Sequence, residues 1–130
     1  MAQPAAKQGD IIHAEDTHLI QPPGTASPTY VPGHIFNGLL DGDLSTNVLI
    51  ERHMAATKGS TATNYPAHIP IGGTFVSQVR NHGKITSGSS TVFINGHPAA
   101  RSGDSAETCA EPQPNKNAKV IAASTVLIGG

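Results

Sequence analysis

The side chains of this sequence that best suit metal chemistry are its seven histidines and its single cysteine, Cys109. Imidazoles and a thiolate are ligands that suit Zn²⁺ well, at about 2.0 to 2.3 Å per bond. Isolated histidines are more often surface or core groups, so a ligand assignment needs a pattern beyond their presence. An internal repeat in the chain supplies that pattern.

A strand-turn motif occurs three times. The most complete copy covers residues 91–104, and a second copy, 46–60, lies about 44 residues earlier. The third copy is divided by the chain ends: residues 125–130 supply its first half and residues 4–10 its second. A repeat broken in this circular way predicts a closed structure, in which the last strand returns beside the first segment and three similar units surround an axis.

The spacing from the repeat selects three ligand candidates. Each copy ends in Gly-Asp or Gly-Ser. His18 lies eight residues after the end of the divided copy, and His68 lies eight residues after the end of the middle copy. Cys109 lies five residues after the end of the most complete copy. Three units that converge on one axis bring these three groups together.

His34 is predicted as the fourth ligand of a tetrahedral site. It follows Pro32 and Gly33, which are predicted to form a defined turn, and the apolar residues after it anchor the segment. His13 is the alternative: it follows the first Gly-Asp by a few residues and could replace His18. The repeat spacing favours His18.

The same pattern argues against an enzyme. Four protein ligands close the coordination sphere of zinc and leave no position for an activated water, so the site is predicted to be structural. The sequence has neither a His-Glu-x-x-His motif nor a Gly-x-Ser-x-Gly motif. Asp16, two residues before His18, is predicted to orient an imidazole rather than to act as a base.

The elements that position these residues are predicted to be short strands. Apolar segments at 46–50, 91–94 and 125–128 read as strands, and Asn95-Gly96 is a strong type I′ hairpin signal. Glu51-Arg52, at the corresponding place in the middle copy, is a poorer turn. Segments 19–44 and 61–88 are rich in Pro, Gly, Ser and Thr and are predicted to be ordered loops.

Composition agrees with an all-β fold. A length of 130 residues predicts one domain spanning 1–130, and with no Trp, three Phe and two Tyr its core must consist of smaller apolar side chains. A core of such small side chains is expected to need two further sources of stability, which are closure of the β structure and a bound metal. Fourteen Gly and ten Pro favour short strands over a helical bundle.

Charge excludes one class of partner. Eight basic and nine acidic residues leave no electrostatic footprint for nucleic acid. The first residues lack the apolar region of a secretory signal, and no run is long enough to cross a bilayer. The chain is therefore expected to be made in the cytoplasm and to leave the cell only if a machine carries it.

Pro98-Ala99-Ala100-Arg101, preceded by an apolar strand with Asn-Gly and followed by Gly-Asp104, resembles the motif of the PAAR-repeat proteins. The middle copy departs from it, with Met54, Thr57 and Ser60 in place of Pro, Arg and Asp.

The resemblance implies a small cone-shaped β structure of three pseudo-symmetric repeats, pinned at its apex by a metal that three histidines and one cysteine hold. It implies a spike-tip protein, with one chain on the trimeric valine-glycine-repeat spike of a type VI secretion system or a related contractile injection system. Such a tip sharpens the spike, touches the target membrane and helps to deliver effector proteins. The alternatives are a contractile phage-tail tip or an effector adaptor and, less favoured, a zinc enzyme.

Overall fold

The computed structural model describes residues 2–130, and this part of the chain is all-β, without helices. No helix that is long and apolar enough to cross a membrane is found in it. The all-β prediction is confirmed. The strands are β1 (Gln3–Pro4), β2 (Ile11–Gln21), β3 (Thr29–Gly42), β4 (Leu49–Ile50), β5 (His53–Met54), β6 (Thr61–Asn64), β7 (Thr74–Phe75), β8 (His82–Ile85), β9 (Phe93–Ile94), β10 (His97–Pro98), β11 (Ser105–Thr108), β12 (Asn115–Ile121) and β13 (Leu127–Ile128).

Each copy of the repeat begins with a two-stranded antiparallel hairpin. β4 pairs with β5, β9 with β10, and β13 with β1, so the third hairpin joins the two ends of the chain as the circular repeat predicts. The turn of the second hairpin has positive φ at Asn95 (52°) and Gly96 (81°). Glu51 (49°) and Arg52 (70°) adopt the same left-handed geometry, so the poorer turn sequence still forms the turn.

The segments that follow the hairpins meet in a closed ring of backbone hydrogen bonds. The amide of Ala6 donates to the carbonyl of Ala100 at 3.0 Å, that of Ala56 to Ala6 at 3.0 Å, and that of Ala100 to Ala56 at 3.1 Å. All three alanines are fully buried. Three chain segments approach this closely only where side chains are small, which explains the Ala-Ala pair in every copy. This set is called the alanine ring below.

Each copy of the repeat ends in a turn. The side chain of the last residue of the turn accepts a hydrogen bond from the backbone amide three residues earlier. Asp104 accepts hydrogen bonds from the amide of Arg101 at 2.6 Å and from its guanidinium at 2.9 Å, and the divided copy has the same arrangement with lysine. In the middle copy Ser60 Oγ accepts from the amide of Thr57 at 2.9 Å. With Thr57 and Ser60 in place of Arg and Asp, the middle copy therefore keeps the turn and loses only the ion pair.

Beyond the alanine ring the chain forms a small closed, barrel-like sheet. Its antiparallel order is β2, β3, β6, β8, β11 and β12, and β12 pairs back with β2 to close it. Each repeat contributes two of these strands. The short strand β7 pairs with the end of β2 outside this closed ring of strands.

One aromatic ring fills the middle of the barrel. Phe36 is fully buried within a cluster otherwise built from Ala, Ile, Leu and Val. Two glycines make room for it: a Cβ added at Gly38, on the same strand, would lie 2.5 Å from Phe36 Cε1, and one at Gly83, on β8, would lie 3.1 Å from it. The thin core expected from composition is thus completed by a single large side chain.

The prediction of loops at 19–44 and 61–88 is wrong for much of both segments. β3 alone occupies 14 residues of the first, and β6, β7 and β8 lie in the second. Pro32 and Gly33 do not form a turn. They form a bulge inside β3, where the pairing shifts between His34 and Val31 and Gly33 has a φ of 88°. A bulge accepts both residue types without ending the strand.

We predict that Gly38→Ala lowers the free energy of unfolding by about 1 to 3 kcal/mol, because its methyl group would overlap the fully buried ring of Phe36. Chemical denaturation measures the effect. Gly129→Ala is the control, since a Cβ there meets nothing within 4 Å. Equal stability of the two variants would contradict this account of the core.

Candidate metal centre

Four side chains with ligand atoms meet at the end of the barrel away from the hairpins. Asp16 and His18 lie on β2, Cys109 follows β11 directly, and His68 lies in the segment after β6. One ligand atom from each lies within 4.8 Å of the others. This set is called the metal-binding group below. Three of the four residues predicted from the sequence are therefore brought together, with Asp16 beside them.

The alternation of β2 decides which of its side chains enter the barrel. Asp16 and His18 share the buried face of β2, with relative exposures of 0% and 2%. His13 lies on the exposed face, where its Nδ1 is 2.6 Å from Asn37 Oδ1. The structure therefore places His13 outside the metal-binding group, because residues of a strand point alternately to opposite faces.

His18 is oriented by a carboxylate. Its Nδ1 lies 3.1 Å from Glu111 Oε1, and Glu111 is itself held by a hydrogen bond from its amide to the carbonyl of Thr17 at 2.8 Å. An acceptor at Nδ1 places the proton there and leaves the lone pair on Nε2, which faces Cys109 Sγ at 3.9 Å. The ring thus presents a ligand atom to the group.

Asp16 is a buried carboxylate with several partners. It accepts hydrogen bonds from Thr108 Oγ1 at 2.5 Å and from Asn115 Nδ2 at 3.2 Å, and its Oδ2 lies 3.0 Å from His68 Nε2. These contacts offset the cost of burying its charge. Asp16 therefore holds an imidazole of the group, as predicted, and its position within the group also allows it to be a ligand.

His68 is fixed although it lies outside a strand. Its backbone amide donates to Asn81 Oδ1 at 2.8 Å, and its Nδ1 lies 3.3 Å from Asn64 Nδ2. Asn64 also donates to Asn81 at 3.1 Å, so the two amides form one support. This network brings the segment after β6 back over the barrel.

The surroundings of Cys109 suit a structural role for its thiol. Burial, followed by the nearby Asp16 carboxylate, raises the pKa of its thiol to about 11. A thiol with so high a pKa is a poor nucleophile at neutral pH. A bound metal would be needed to stabilise the thiolate, which favours a ligand role over a reactive one.

His34 lies beside the metal-binding group. Its ring centroid is 5.3 Å from that of His18 and 5.8 Å from that of His68, and its Nε2 accepts a hydrogen bond from the amide of Ile71 at 3.3 Å. Its Nδ1 is buried without a hydrogen-bond partner. Burial and the adjacent His18 lower the pKa of His34, which favours the neutral ring. A ligand role for His34 stays a prediction.

Two of the distances between donor atoms are close to those of a zinc site. Ligands at zinc bond lengths in a tetrahedron lie about 3.3 to 3.8 Å apart. Cys109 Sγ is 3.6 Å from Asp16 Oδ2 and 3.9 Å from His18 Nε2, close to that spacing. Nitrogen, sulfur and carboxylate oxygen are all zinc donors. The group is able to bind a metal ion; zinc is our expectation for its identity.

Sequence reasoning missed the supporting residues. Glu111 and Thr108 lie within two positions of Cys109, and Asn64 lies four residues before His68. Polar residues so near to candidate ligands are the available signal. Asn115 could not have been identified in this way, because only the pairing of β12 beside β2 and β11 brings it to Asp16.

We predict that protein purified without chelator carries about one zinc ion per chain and that Cys109→Ser lowers its stability by several kcal/mol, because a metal ligand is lost. Elemental analysis and thermal melts with and without chelator measure both effects. His13→Ala is the matched control, since His13 is exposed and outside the group. Coincident melts of wild type and Cys109→Ser would mean that the thiol is merely packed.

Comparison with known proteins agrees with the repeat. The family model for the PAAR motif matches residues 77–130, which include the hairpin of β9 and β10, the Pro98-Ala99-Ala100-Arg101 sequence and β13. No curated protein and no solved structure matches the chain. Proteins with this motif are associated with the spike tips of type VI secretion systems, and the family is structural rather than catalytic. The chain thus carries a PAAR motif over residues 77–130, and the three motif copies and their closure around the alanine ring agree with this similarity.

Proposed function

We propose that this chain caps the trimeric valine-glycine-repeat spike of a type VI secretion system or a related contractile injection machine, with one chain per trimer. The PAAR motif match supports this role, and so does the three-fold arrangement of the hairpins. The chain would reach the target as part of the spike, carried by the machine, and separate effector proteins would travel with it.

The observation that carries the proposal is a ring of exposed apolar side chains on the hairpins. Leu49, Phe93 and Leu127 occupy the same position in the three hairpins, as their pairing with Met54, Pro98 and Pro4 establishes. Their relative exposures are similar, at 59%, 56% and 62%. Large apolar side chains exposed at three equivalent positions are typical of a surface that binds a three-fold partner. These three residues are called the basal ring below.

Contacts between neighbouring hairpins stiffen this end of the molecule. Each hairpin turn bonds to the segment before the next hairpin, and the contacts run in a circle. The pairs are Asn95 Nδ2 with Ser45 Oγ (2.9 Å), Thr125 Oγ1 with Glu51 Oε2 (2.7 Å) and Ser89 Oγ with the carbonyl of Gly129 (2.6 Å). The bonds from Thr125 also lower the pKa of Glu51, which favours the charged acceptor.

A trimeric spike needs such a partner at its end. A trimer of β structure ends in three identical strand edges, and exposed edges recruit further pairing. A single chain can cover all three only if it presents three nearly equivalent surfaces around an axis. The hairpins supply these surfaces, and their apolar character suits contacts dominated by burial and backbone pairing.

The opposite end would serve as the tip. A structural zinc ion in the metal-binding group would tie β2, β11 and the segment around His68 together, where the chain leaves regular strand. Metal binding coupled to folding contributes on the order of 10 kcal/mol, comparable to the whole stability of a domain of this size. A tip held in this way would resist buckling when a contracting sheath drives the spike into a membrane.

The stoichiometry of the complex tests the proposal. We predict one cap per spike trimer by light scattering with the cognate spike. Phe93→Glu should weaken binding by at least about tenfold, because it places a charge in the apolar contact. Ile121→Glu is the matched control: Ile121 is also exposed, at 51%, and lies on β12 outside the hairpins.

Two results would contradict capping. One is a complex with three caps per trimer, which would mean that each spike subunit binds its own copy. The other is equal loss of affinity in Phe93→Glu and Ile121→Glu, which would place the contact away from the basal ring.

A further inference from the structure

The sequence contains the dipeptide Asn-Gly twice, at Asn37-Gly38 and at Asn95-Gly96. In such a dipeptide the glycine nitrogen can bond to Cγ of the asparagine, because glycine has no Cβ to obstruct the approach. The side-chain NH₂ group and the glycine N–H proton then leave together as ammonia, and a cyclic imide remains. Water opens this imide to give aspartate or isoaspartate. The structure distinguishes the two dipeptides.

The first dipeptide, at Asn37, is held inside the barrel sheet. Gly38 is buried, and it is the pairing partner of Ile12 on β2 and of Asn64 on β6. The amide of Asn37 donates to Asn64 Oδ1 at 2.9 Å, and Asn37 Oδ1 lies 2.6 Å from His13 Nδ1. The backbone here can turn towards the Asn37 side chain only if β3 separates from its neighbours. This dipeptide is therefore protected in the folded chain.

The second dipeptide is the exposed turn between β9 and β10. Asn95 and Gly96 are both exposed, and a Cβ added at Gly96 would meet nothing within 4 Å. Within residues 2–130, the amide of Gly96 makes no hydrogen bond, so the attacking nitrogen is free. The strands on either side of the turn have only two residues each. A local movement of this turn is therefore enough for the reaction, and the barrel stays closed.

We propose that Asn95 is a site of spontaneous deamidation and that the reaction alters the hairpin end of the molecule. The side chain of Asn95 links two repeats: its Nδ2 donates to Ser45 Oγ at 2.9 Å and to Asn47 Oδ1 at 2.8 Å. These bonds restrain the leaving nitrogen and slow the reaction relative to an unfolded chain, but they leave the Gly96 nitrogen free. Deamidation replaces the donor by a carboxylate, which only accepts hydrogen bonds. The link between the repeats is then lost.

Isoaspartate also changes the turn itself. In this product the backbone runs through the side chain, which adds one carbon atom to the turn. The turn fixes the pairing of Ile94 with His97 and of Phe93 with Pro98, because loop length sets the geometry of a hairpin. A longer turn displaces Phe93, which belongs to the basal ring. Weaker binding to a spike therefore follows; this consequence rests on the proposed function, whereas the deamidation itself does not.

The second Asn-Gly dipeptide of the same chain makes the experiment internally controlled. The purified, metal-loaded chain is incubated at mildly alkaline pH, well below its melting temperature, and peptide mapping by mass spectrometry follows the replacement of NH₂ by OH at each site. We expect Asn95 to react at least about tenfold faster than Asn37, because Asn37 reacts only after β3 opens. In denaturant the two sites should react at similar rates. Enzymatic methylation of isoaspartate should label the hairpin peptide of the folded chain.

The effect on the hairpin end is measured on the separated product. The isoaspartate form, purified by ion exchange, should bind the cognate spike at least about fivefold more weakly than fresh protein, the effect of disturbing one anchor residue. Asn95→Gly is the matched control. It removes the reactive amide and keeps a turn residue that adopts positive φ readily. Incubated and fresh samples of this variant should bind equally.

Three results would overturn the proposal. Equal rates at Asn95 and Asn37 in the folded chain would mean that the turn is not the selected site. Conversion of Asn95 only in denaturant would mean that the folded turn protects it. Full spike affinity of the isoaspartate form would mean that the reaction leaves the hairpin end unchanged. The mass measurement contains no spike, so its failure leaves the capping proposal intact, and the failure of capping would show in fresh protein.

Discussion

The alanine ring is the constraint on which the rest of the structure depends. Three backbone hydrogen bonds link Ala6, Ala56 and Ala100 in a circle, and each alanine belongs to a different copy of the repeat. None of these bonds is local in sequence, and next to the ring the two ends of the chain pair with each other through β1 and β13. Once it is closed, the hairpins are directed to one end and the barrel strands to the other. The basal ring and the metal-binding group are therefore positioned by the same contact.

The hairpin end of the molecule keeps the three-fold symmetry of the repeat, whereas the barrel end does not. The hairpins are two residues per strand in all three copies. In the barrel, β2 and β3 have 11 and 14 residues, whereas β6, β8 and β11 have four each. The extra length of β2 and β3 carries Asp16, His18 and His34 past the shorter strands. The three-fold end presents equivalent hairpins, and the asymmetric end carries the metal-binding group.

Repetition explains how much could be predicted from the sequence. The motif predicted the three hairpins and the pairing of the chain ends, and its spacing selected His18, His68 and Cys109, which the structure brings together. Composition was misleading for segments 19–44 and 61–88. A bulge absorbs Pro32 and Gly33 within β3, and Gly38 and Gly83 are there to accommodate Phe36 rather than to form turns. The hydrogen bond from Asn115 to Asp16 depends on the tertiary pairing of β12, which spacing along the chain does not predict.

Native-state hydrogen exchange at the alanine ring tests the central claim most directly. If closure of the ring holds the three repeats together, the amides of Ala6, Ala56 and Ala100 should exchange only through global unfolding. All three would then show the same free energy of opening, equal to the stability measured by denaturation, and the same dependence on denaturant. Separate opening free energies for the three amides, below the global value, would mean that each repeat is stable by itself and that the ring is a consequence of the fold rather than its basis.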